Sequence, residues 1–194
     1  MSSEKEGKSS LAFHPLTAER WPDLVELFGQ RGACGGCWCM WWRLGRAEFE
    51  RKKGAGNKRA LHKIVNAGPP PGLLAYQGEE PVGWCAVAPR DRYTRMTTSR
   101  ILGPVDDEPV WSVVCFFVSK SHRRQGVTEA LLRAAVRFAG EQGAREVEGY
   151  PIAPVKDRVP EVFAYTGFVS TFEKAGFSEV LRRSPPRPIM RCRV

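Results

Sequence analysis

The sequence has no segment suited to export or to a bilayer. Its longest aliphatic and aromatic run, residues 113–118, is far short of the roughly 20 residues that span a membrane. Residues 1–10 are charged, polar or small, with no apolar stretch, so they resemble neither a signal peptide nor a transit peptide. We therefore expect a cytoplasmic protein without membrane contact, in which residues 1–10 form a disordered tail.

Cysteine and histidine are scarce, with six and three residues in a chain of 194. Six cysteines are too few for a disulfide-stapled scaffold of this length, and in a reducing compartment we expect free thiols. The three histidines have no surrounding pattern that suggests a catalytic triad. The scarcity excludes a disulfide-rich secreted module and gives no support to a hydrolase of the triad type.

Composition and charge describe an ordinary globular chain with a basic surface. Hydrophobic residues make up 42% and charged residues 26%, values that allow one core and argue against disorder. Thirty basic and twenty-one acidic residues leave a net charge of +9, which suits an anionic ligand, a nucleic acid or an acidic substrate. No helix-turn-helix pattern or platform for single-stranded nucleic acid stands out, so a nucleic-acid partner ranks last.

Hydrophobic periodicity predicts strands and helices in mixed order. The predicted strands cover residues 10–16, 72–77, 82–88, 110–118, 144–150, 177–181 and 188–194. The predicted helices are one that Thr17 caps, then 45–53, 57–67, 92–99, 124–142 and 165–175, with a loop at 151–160. This order favours an α/β or α+β fold with one mixed central sheet of about six to seven strands and flanking helices.

The most informative stretch runs from the apolar strand at 113–118 through Gly126 into a helix. Backbone N–H groups at a helix start lack internal partners and, together with the helix dipole, attract phosphate. Gly126 permits close approach of the backbone, and Arg123 and Arg124 can add charge-assisted contacts. On these residues alone, the stretch is either an anion site or an ordinary strand-to-helix connection.

Two segments in this part of the chain resemble a known family. Residues 123–128, Arg-Arg-Gln-Gly-Val-Thr, resemble the Arg-x-x-Gly-x-(Gly/Ala) signature of the GNAT superfamily of N-acetyltransferases. Residues 172–177, Phe-Glu-Lys-Ala-Gly-Phe, resemble the Tyr-Glu-Lys-x-Gly-Phe segment of that family. The resemblance implies one GNAT-like acetyltransferase domain over residues 11–194, with a Cys/Trp-rich insertion at about 30–71 that has no counterpart in the family pattern.

The resemblance also implies where acetyl-CoA binds as co-substrate. In GNAT proteins the strand before the signature splays from its neighbour and pairs with the pantetheine arm, while the turn's amides hold the pyrophosphate. A backbone N–H near Phe117 would polarise the thioester carbonyl, and this chemistry needs no metal. The implied cofactor-binding residues are Phe116, Phe117, Val118, Arg123, Arg124, Gln125, Gly126, Val127 and Thr128.

The sequence departs from the family pattern at two positions. Thr128 stands where Gly or Ala is usual, which adds a hydroxyl or removes room beside the phosphate. Phe172 stands where many members have the tyrosine that protonates the departing CoA thiolate, and phenylalanine cannot donate a proton. Tyr165 could supply that acid or could be a tyrosine packed with its hydroxyl at the surface; release without an acid other than water also stays open.

A general base is less well defined by the sequence. Glu148 is the carboxylate candidate, because alternation along its strand places it on one face with Glu146 and Tyr150. Ser112 stands where relatives can hold a glutamate, so a chain of water molecules is the other route. The alternative for Glu148 is an ordinary solvated strand residue. The catalytic candidates are thus Glu148, Tyr165 and Ser112.

The predicted insertion contains a Cys/Trp cluster, which comprises Cys34, Cys37, Trp38, Cys39, Trp41 and Trp42. Three close thiols are compatible with zinc or an iron–sulfur cluster, but no second Cys or His pair follows at a usual interval, so packed, reduced thiols are favoured and no metal is expected. The tryptophans would share one helical face and lie in the core. If exposed, they could line an acceptor pocket and hold an ammonium group by cation–π attraction.

The function expected from the residues and the resemblance is transfer of an acetyl group from acetyl-CoA to a primary amine, by direct attack in a ternary complex. The alternative is a catalytically weak or inactive GNAT-like module that binds CoA or regulates. The acceptor, a small molecule or a protein amine, is not identified by any motif. The sequence leaves open whether the chain forms a homodimer.

Overall fold

The computed structural model describes residues 10–153 and 161–194, without the side chains of 161–163. The predicted tail at 1–10 lies almost entirely outside the described residues, and so does most of the loop predicted at 151–160. No helix among the described residues combines the length and apolar character needed to cross a membrane.

The described chain folds into seven strands and six α-helices. The strands are β1 (Leu11–Pro15), β2 (Gly72–Gln77), β3 (Glu80–Pro89), β4 (Trp111–Val118), β5 (Glu146–Gly149), β6 (Ser178–Arg182) and β7 (Pro188–Arg193). The helices are α1 (Trp21–Phe28), α2 (Arg46–Arg51), α3 (Ala55–Ala67), α4 (Thr94–Thr97), α5 (Val127–Glu141) and α6 (Val169–Lys174). Short 3₁₀ turns lie at Arg90–Arg92, Lys120–His122 and Glu161–Thr166.

One mixed sheet has the strand order β1-β2-β3-β4-β5-β7-β6. Strands β1 to β4 pair antiparallel in succession, β4 pairs parallel with β5, and β7 pairs antiparallel with both β5 and β6. The mixed sheet with flanking helices, the hairpin of β2 and β3, and the terminal hairpin are therefore confirmed. The apolar strand β4 lies at the centre of the sheet, as its sequence predicts.

Each face of the sheet carries its own core. On one face, α5 buries a stripe that includes Val127, Leu131, Ala135 and Phe138, the positions that its helical periodicity predicts. On the other face, α1, α3 and the Cys/Trp cluster pack around the buried ring of Trp84. Because β4 is covered on both sides, its position is fixed by the two cores together.

Three local predictions are wrong. Helix α1 begins at Trp21 after Arg20, with no side-chain cap, so Thr17 is not the N-cap. The helix predicted at 165–175 is interrupted at Gly167, whose φ of +80° lies in the left-handed region and separates the 3₁₀ turn from α6. Trp38 and Cys39 also have positive φ, of 45° and 52°, so the tryptophans of the cluster lie on successive turns and do not share a helical face.

Strands β4 and β5 separate part-way along their length. They pair only at Trp111 with Val147, Ser112 with Glu148 and Val113 with Gly149, although β4 continues to Val118. Beyond Gly149 the chain turns to another partner, because Ile152 forms a parallel bridge with Phe168. The lower part of β4, residues 111–113, therefore joins the two halves of the sheet. The upper part, residues 114–118, has no strand partner on the β5 side among the described residues, and we call this its open edge.

The ring of Phe172 fills the wedge where the two strands separate. It is fully buried, stacks edge-on against Phe116 and Phe177, and lies so close to Gly149 that a Cβ atom there would overlap it. Gly149 is therefore needed for the close approach of this ring to β5. The wedge links the splay of the strands directly to the core on the α5 face.

We predict that Phe172→Ala lowers the free energy of unfolding by about 3–5 kcal/mol, because it leaves a cavity in a fully packed core. Urea-induced unfolding followed by circular dichroism measures this change. The matched control is Val180→Ala on β6, whose side chain is 44% exposed and whose loss should change stability by no more than about 0.5 kcal/mol. Equal stability of the two variants would contradict the wedge.

Candidate active site

The turn between β4 and α5 is held open by its own backbone. Ser119 N–H donates to the Val82 carbonyl at 2.9 Å, which fixes the end of β4. Arg124 and Gly126 have φ values of 61° and 81°, so the chain passes twice through the left-handed region before α5 begins at Val127. Glycine adopts this conformation without steric cost, which is why the signature requires it at 126.

The first amides of α5 point out of the helix without a cap. The first intrahelical bond runs from Ala130 N–H to the Gly126 carbonyl at 3.0 Å, and no side chain caps the helix. In the described part of the chain, the N–H groups of Val127, Thr128 and Glu129 therefore have no capping partner. A Cβ atom on Gly126 would meet nothing within 4 Å, so the turn is not packed against other described atoms on that side.

Side chains brace this turn and do not fill it. Arg123 Nε donates to the Val118 carbonyl at 3.2 Å, and Gln125 Nε2 donates to the Ser121 carbonyl at 2.8 Å. The Ser119 hydroxyl lies 2.8 Å from His122 Nδ1. With Arg124 exposed, the turn combines uncapped amides, a helix dipole and positive charge, a combination that favours anions such as phosphate.

A cavity of about 280 Å³ lies beside the open end of β4. From the predicted insertion and α2 it is lined by Cys34, Cys37, Cys39, Trp41, Trp42 and Phe49. From the other side it is lined by Cys115, Phe116, Phe117 and Tyr165. Two parts of the sequence that had no evident connection, the Cys/Trp cluster and the strand before the signature, thus form one pocket.

Two of the pocket's cysteines, Cys39 and Cys115, are packed in the core. Cys39 Sγ lies 3.3 Å from Cys115 Sγ and accepts a hydrogen bond from the Trp84 indole N–H at 3.2 Å. The contact with Cys115, followed by burial, raises the pKa of Cys39 well above its usual value. The contact with Cys39, followed by burial, raises the pKa of Cys37. Among the described residues, no group of three or more His, Cys, Asp or Glu side chains is arranged to hold a metal.

Tyr165 is half-buried in the pocket wall. Burial, with a smaller effect of the nearby Cys115, raises its pKa to about 12, while Arg187 acts in the opposite direction. Its hydroxyl therefore remains protonated at neutral pH and can donate a hydrogen bond. Trp38, in contrast, is buried against Phe28 and does not line the pocket.

Glu148 and Ser112 lie together inside the protein, as neighbours across the β4–β5 ladder. Both are fully buried, and the Tyr150 hydroxyl joins them, 2.8 Å from Ser112 Oγ and 2.6 Å from Glu148 Oε1. Arg90 Nη1 donates to the same carboxylate oxygen at 2.7 Å, and Arg191 Nε donates to the other at 2.9 Å. The carboxylate is thus saturated by two guanidinium groups and a phenol, which is unfavourable for accepting a proton from a substrate.

The comparisons with known proteins agree with this geometry. Residues 38–151, more than half of the chain, match the Acetyltransferase (GNAT) family. The chain belongs to the GNAT acetyltransferase family. This membership places it among the acetyl-CoA-dependent acyltransferases and confirms the resemblance drawn from the signature. No curated protein sequence matches the chain significantly.

Solved GNAT structures share the fold at low sequence identity. The PaiA N-acetyltransferase of Thermoplasma acidophilum in complex with coenzyme A has a TM-score of 0.53 and 13% identity, over 95% of this chain and 99% of that one. A histone acetyltransferase HPA2-related protein of Corynebacterium glutamicum has a TM-score of 0.54 and 17% identity, over 94% of this chain and 95% of that one. NAA60 of Arabidopsis thaliana in complex with acetyl-CoA has a TM-score of 0.50 and 14% identity, over 95% of this chain and 100% of that one. At such identities the likeness shows the fold alone.

Sequence reasoning placed the turn correctly but missed the surroundings of Glu148. Alternation put Glu148 and Tyr150 on one strand face, as the structure has them, but Arg90 and Arg191 come from positions far apart in the chain. The only available signal was that a glutamate on a buried strand of a basic protein must be paired. In this GNAT protein the expectation of a solvated or catalytic Glu148 therefore conflicts with its burial.

We predict that Glu148→Gln destabilises the fold by about 3–5 kcal/mol, because it leaves two guanidinium groups without their shared counter-charge. Urea unfolding measures the effect. The control is Glu179→Gln, which removes an exposed ion pair with Arg182 and should cost no more than about 1 kcal/mol. A Glu148→Gln protein that keeps full stability, yet loses the rise of its acetylation rate with pH, would instead establish Glu148 as the general base.

Proposed function

We propose that this GNAT protein transfers the acetyl group of acetyl-CoA to a primary amine, by direct attack in a ternary complex. The observation that carries the proposal is the uncapped start of α5 beside the open upper edge of β4. The first offers N–H donors to a diphosphate, and the second offers main-chain groups to an extended pantetheine arm. Family membership supports both assignments.

In this proposal each part of acetyl-CoA has its own binding region. The pyrophosphate lies against the turn from Arg123 to Thr128, where the hydroxyl of Thr128 adds a donor. The pantetheine arm runs along Phe116, Phe117 and Val118 as an added strand. The thioester then reaches the pocket formed with the Cys/Trp cluster, which supports the proposal that residues 30–71 are an insertion on the acceptor side of one domain over 11–194.

The chemical step conserves atoms and charge. The lone pair of a neutral amine attacks the thioester carbonyl carbon, an N–C bond forms, and the C–S bond of the tetrahedral intermediate breaks. CoA leaves as a thiolate and takes up a proton, so that an ammonium group and acetyl-CoA yield an amide, CoA and one proton. A main-chain N–H near Phe117 stabilises the developing oxyanion. Holding both reactants in one cleft supplies much of the rate.

Tyr165 is proposed as the hydrogen-bond donor to the departing sulfur. Its protonated hydroxyl in the pocket wall suits this role, whereas Phe172 is buried in the wedge and has no hydroxyl. Ser112 and Glu148 act at most as positioning residues, through Tyr150. The six free thiols fit a reducing compartment, which supports the proposal that the reaction takes place in the cytoplasm.

The second candidate function is a CoA-binding module with little or no turnover. The buried Phe172, in place of the family's tyrosine, favours this alternative. Calorimetric titration with acetyl-CoA, paired with a CoA-release assay over a panel of amines, separates the two functions. Binding with release of CoA supports the transferase, binding without release supports the module, and no binding at millimolar acetyl-CoA contradicts both.

We predict that Gly126→Ala weakens acetyl-CoA binding by at least about tenfold, because the left-handed conformation at the start of α5 disfavours alanine by about 1–2 kcal/mol. Calorimetric titration measures the dissociation constant. Gly143→Ala is the matched control, since Gly143 has a φ of +86° and an equally open surrounding at the other end of α5. Equal affinity of the two variants would contradict the phosphate site.

We predict that Tyr165→Phe lowers kcat by roughly 10²-fold. This value is the lower end of the range for the loss of a general acid, because the pKa of Tyr165 lies far above neutral pH. The dissociation constant of acetyl-CoA should stay unchanged. In the wild type, no fall of the rate that is due to Tyr165 is expected until the pH approaches about 12. An unchanged kcat in a steady-state assay would remove Tyr165 from the mechanism.

A further inference from the structure

The described residues that line the pocket beside the thioester position include no Asp, Glu, Lys or Arg. They are mostly aromatic residues and cysteines, and contact and burial raise the pKa values of the Cys37 and Cys39 thiols. This part of the lining suits an apolar group and offers no counter-charge to a cation.

Two arginine side chains lie next to residues that line this pocket. Arg95 lies over the Trp41 ring at 3.7 Å from its centroid and donates to the Trp41 carbonyl at 3.3 Å. Arg187 donates to Thr166 Oγ1 at 2.9 Å and lies close enough to Tyr165 to lower its pKa against the effect of burial. The exposed Arg46 adds to the positive potential at Arg95, and the exposed Glu50 opposes it.

Arg95 already occupies one face of the Trp41 ring, so that face is not available to a substrate ammonium. Burial, followed by the nearby Arg46, lowers the pKa of Arg95, so this guanidinium is partly desolvated beside a like charge. An anionic group that approaches Arg95 would relieve that repulsion and gain charge-assisted hydrogen bonds. The Trp42 indole N–H is buried without a hydrogen-bond partner in the described part of the chain.

We infer that the acceptor is a small amine that carries both an apolar side group and a carboxylate, with the side group in the Cys/Trp pocket and the carboxylate at Arg95. The class is that of an apolar or aromatic amino acid that presents its amine to the thioester. Polycationic amines are disfavoured, because they would meet Arg95 and no carboxylate among the described residues that line the pocket. This inference rests on the proposed transferase function and adds the substrate class.

The same charges assist the chemistry. An ammonium group beside guanidinium groups and apolar walls loses its proton more readily than in water, since both effects disfavour the charged form. The neutral amine that must attack the thioester is thereby favoured without a carboxylate base in the pocket. This agrees with the engagement of Glu148 by Arg90 and Arg191.

The experiment compares matched amines with the wild type and an Arg95→Gln variant. L-phenylalanine and 2-phenylethylamine differ only by the carboxylate, and spermidine represents the polycations. We expect kcat/KM of the wild type for L-phenylalanine to exceed that for 2-phenylethylamine by about 10-fold to 100-fold, and Arg95→Gln to abolish this preference. Arg92→Gln is the matched control, because Arg92 lies on the same segment and is exposed, and it should keep the preference.

The outcomes separate this inference from the proposed function. Faster acetylation of 2-phenylethylamine or spermidine than of L-phenylalanine would overturn the inference and leave the transferase standing. Failure to bind acetyl-CoA would overturn the transferase itself. If acetyl-CoA binds without turnover, amine binding to the CoA-loaded protein is measured by tryptophan fluorescence. The inference then predicts that L-phenylalanine binds more tightly than 2-phenylethylamine, and that Arg95→Gln removes this difference whereas Arg92→Gln keeps it. Any other result would overturn the inference.

Discussion

The separation of β4 from β5 is the constraint on which the rest of the active site depends. Parallel strands in a buried sheet normally pair along their full length, because unpaired main-chain groups are costly. Here pairing stops at Val113, and the Phe172 ring fills the wedge below the open edge. The open edge leads directly into the turn at Gly126 and lies beside the Cys/Trp pocket. One packing feature thus aligns the three regions proposed for the diphosphate, the pantetheine arm and the acceptor.

Electrostatics then divides the site into two regions of different character. The turn before α5 presents main-chain dipoles and the exposed Arg124. The described lining of the pocket consists mostly of aromatic residues and cysteines, and Arg95 lies over the Trp41 ring. Glu148 is buried between Arg90 and Arg191 and is not among the residues that line the pocket. In the proposed function, the first region would hold the anionic cofactor and the second would admit the amine in its neutral form.

The fold could be predicted from the sequence where a single element determines its own pattern. Helix α5 must bury one stripe, so Leu131 and Phe138 recur at helical spacing, and the uniformly apolar β4 had to be central. The prediction of one helix over 165–175 was wrong, because Gly167 adopts a left-handed conformation that cannot be read from hydrophobic periodicity. The prediction that the tryptophans of the cluster share one helical face is wrong for the same reason, since positive φ at Trp38 and Cys39 turns the tryptophan side chains in different directions.

The turn between β4 and α5 could be predicted because it lies in consecutive residues, and the proposed phosphate site uses the same residues, from Arg123 to Thr128. The pocket could not, because it forms where residues 34–49, 115–117 and 165 meet in space. Likewise, nothing local to Glu148 indicates that guanidinium groups from the end of β3 and from β7 enclose it. Sites made of one segment can be recognised from sequence, and sites made of several require the fold.

Backbone NMR of ¹⁵N-labelled protein during titration with acetyl-CoA tests the central claim most directly. The account predicts that the largest amide shifts and the strongest slowing of hydrogen exchange occur at Val127, Thr128 and Glu129 and along residues 116–118. Saturable binding of acetyl-CoA that leaves these amides unchanged would contradict it, because the diphosphate and the pantetheine arm would then lie elsewhere on the protein.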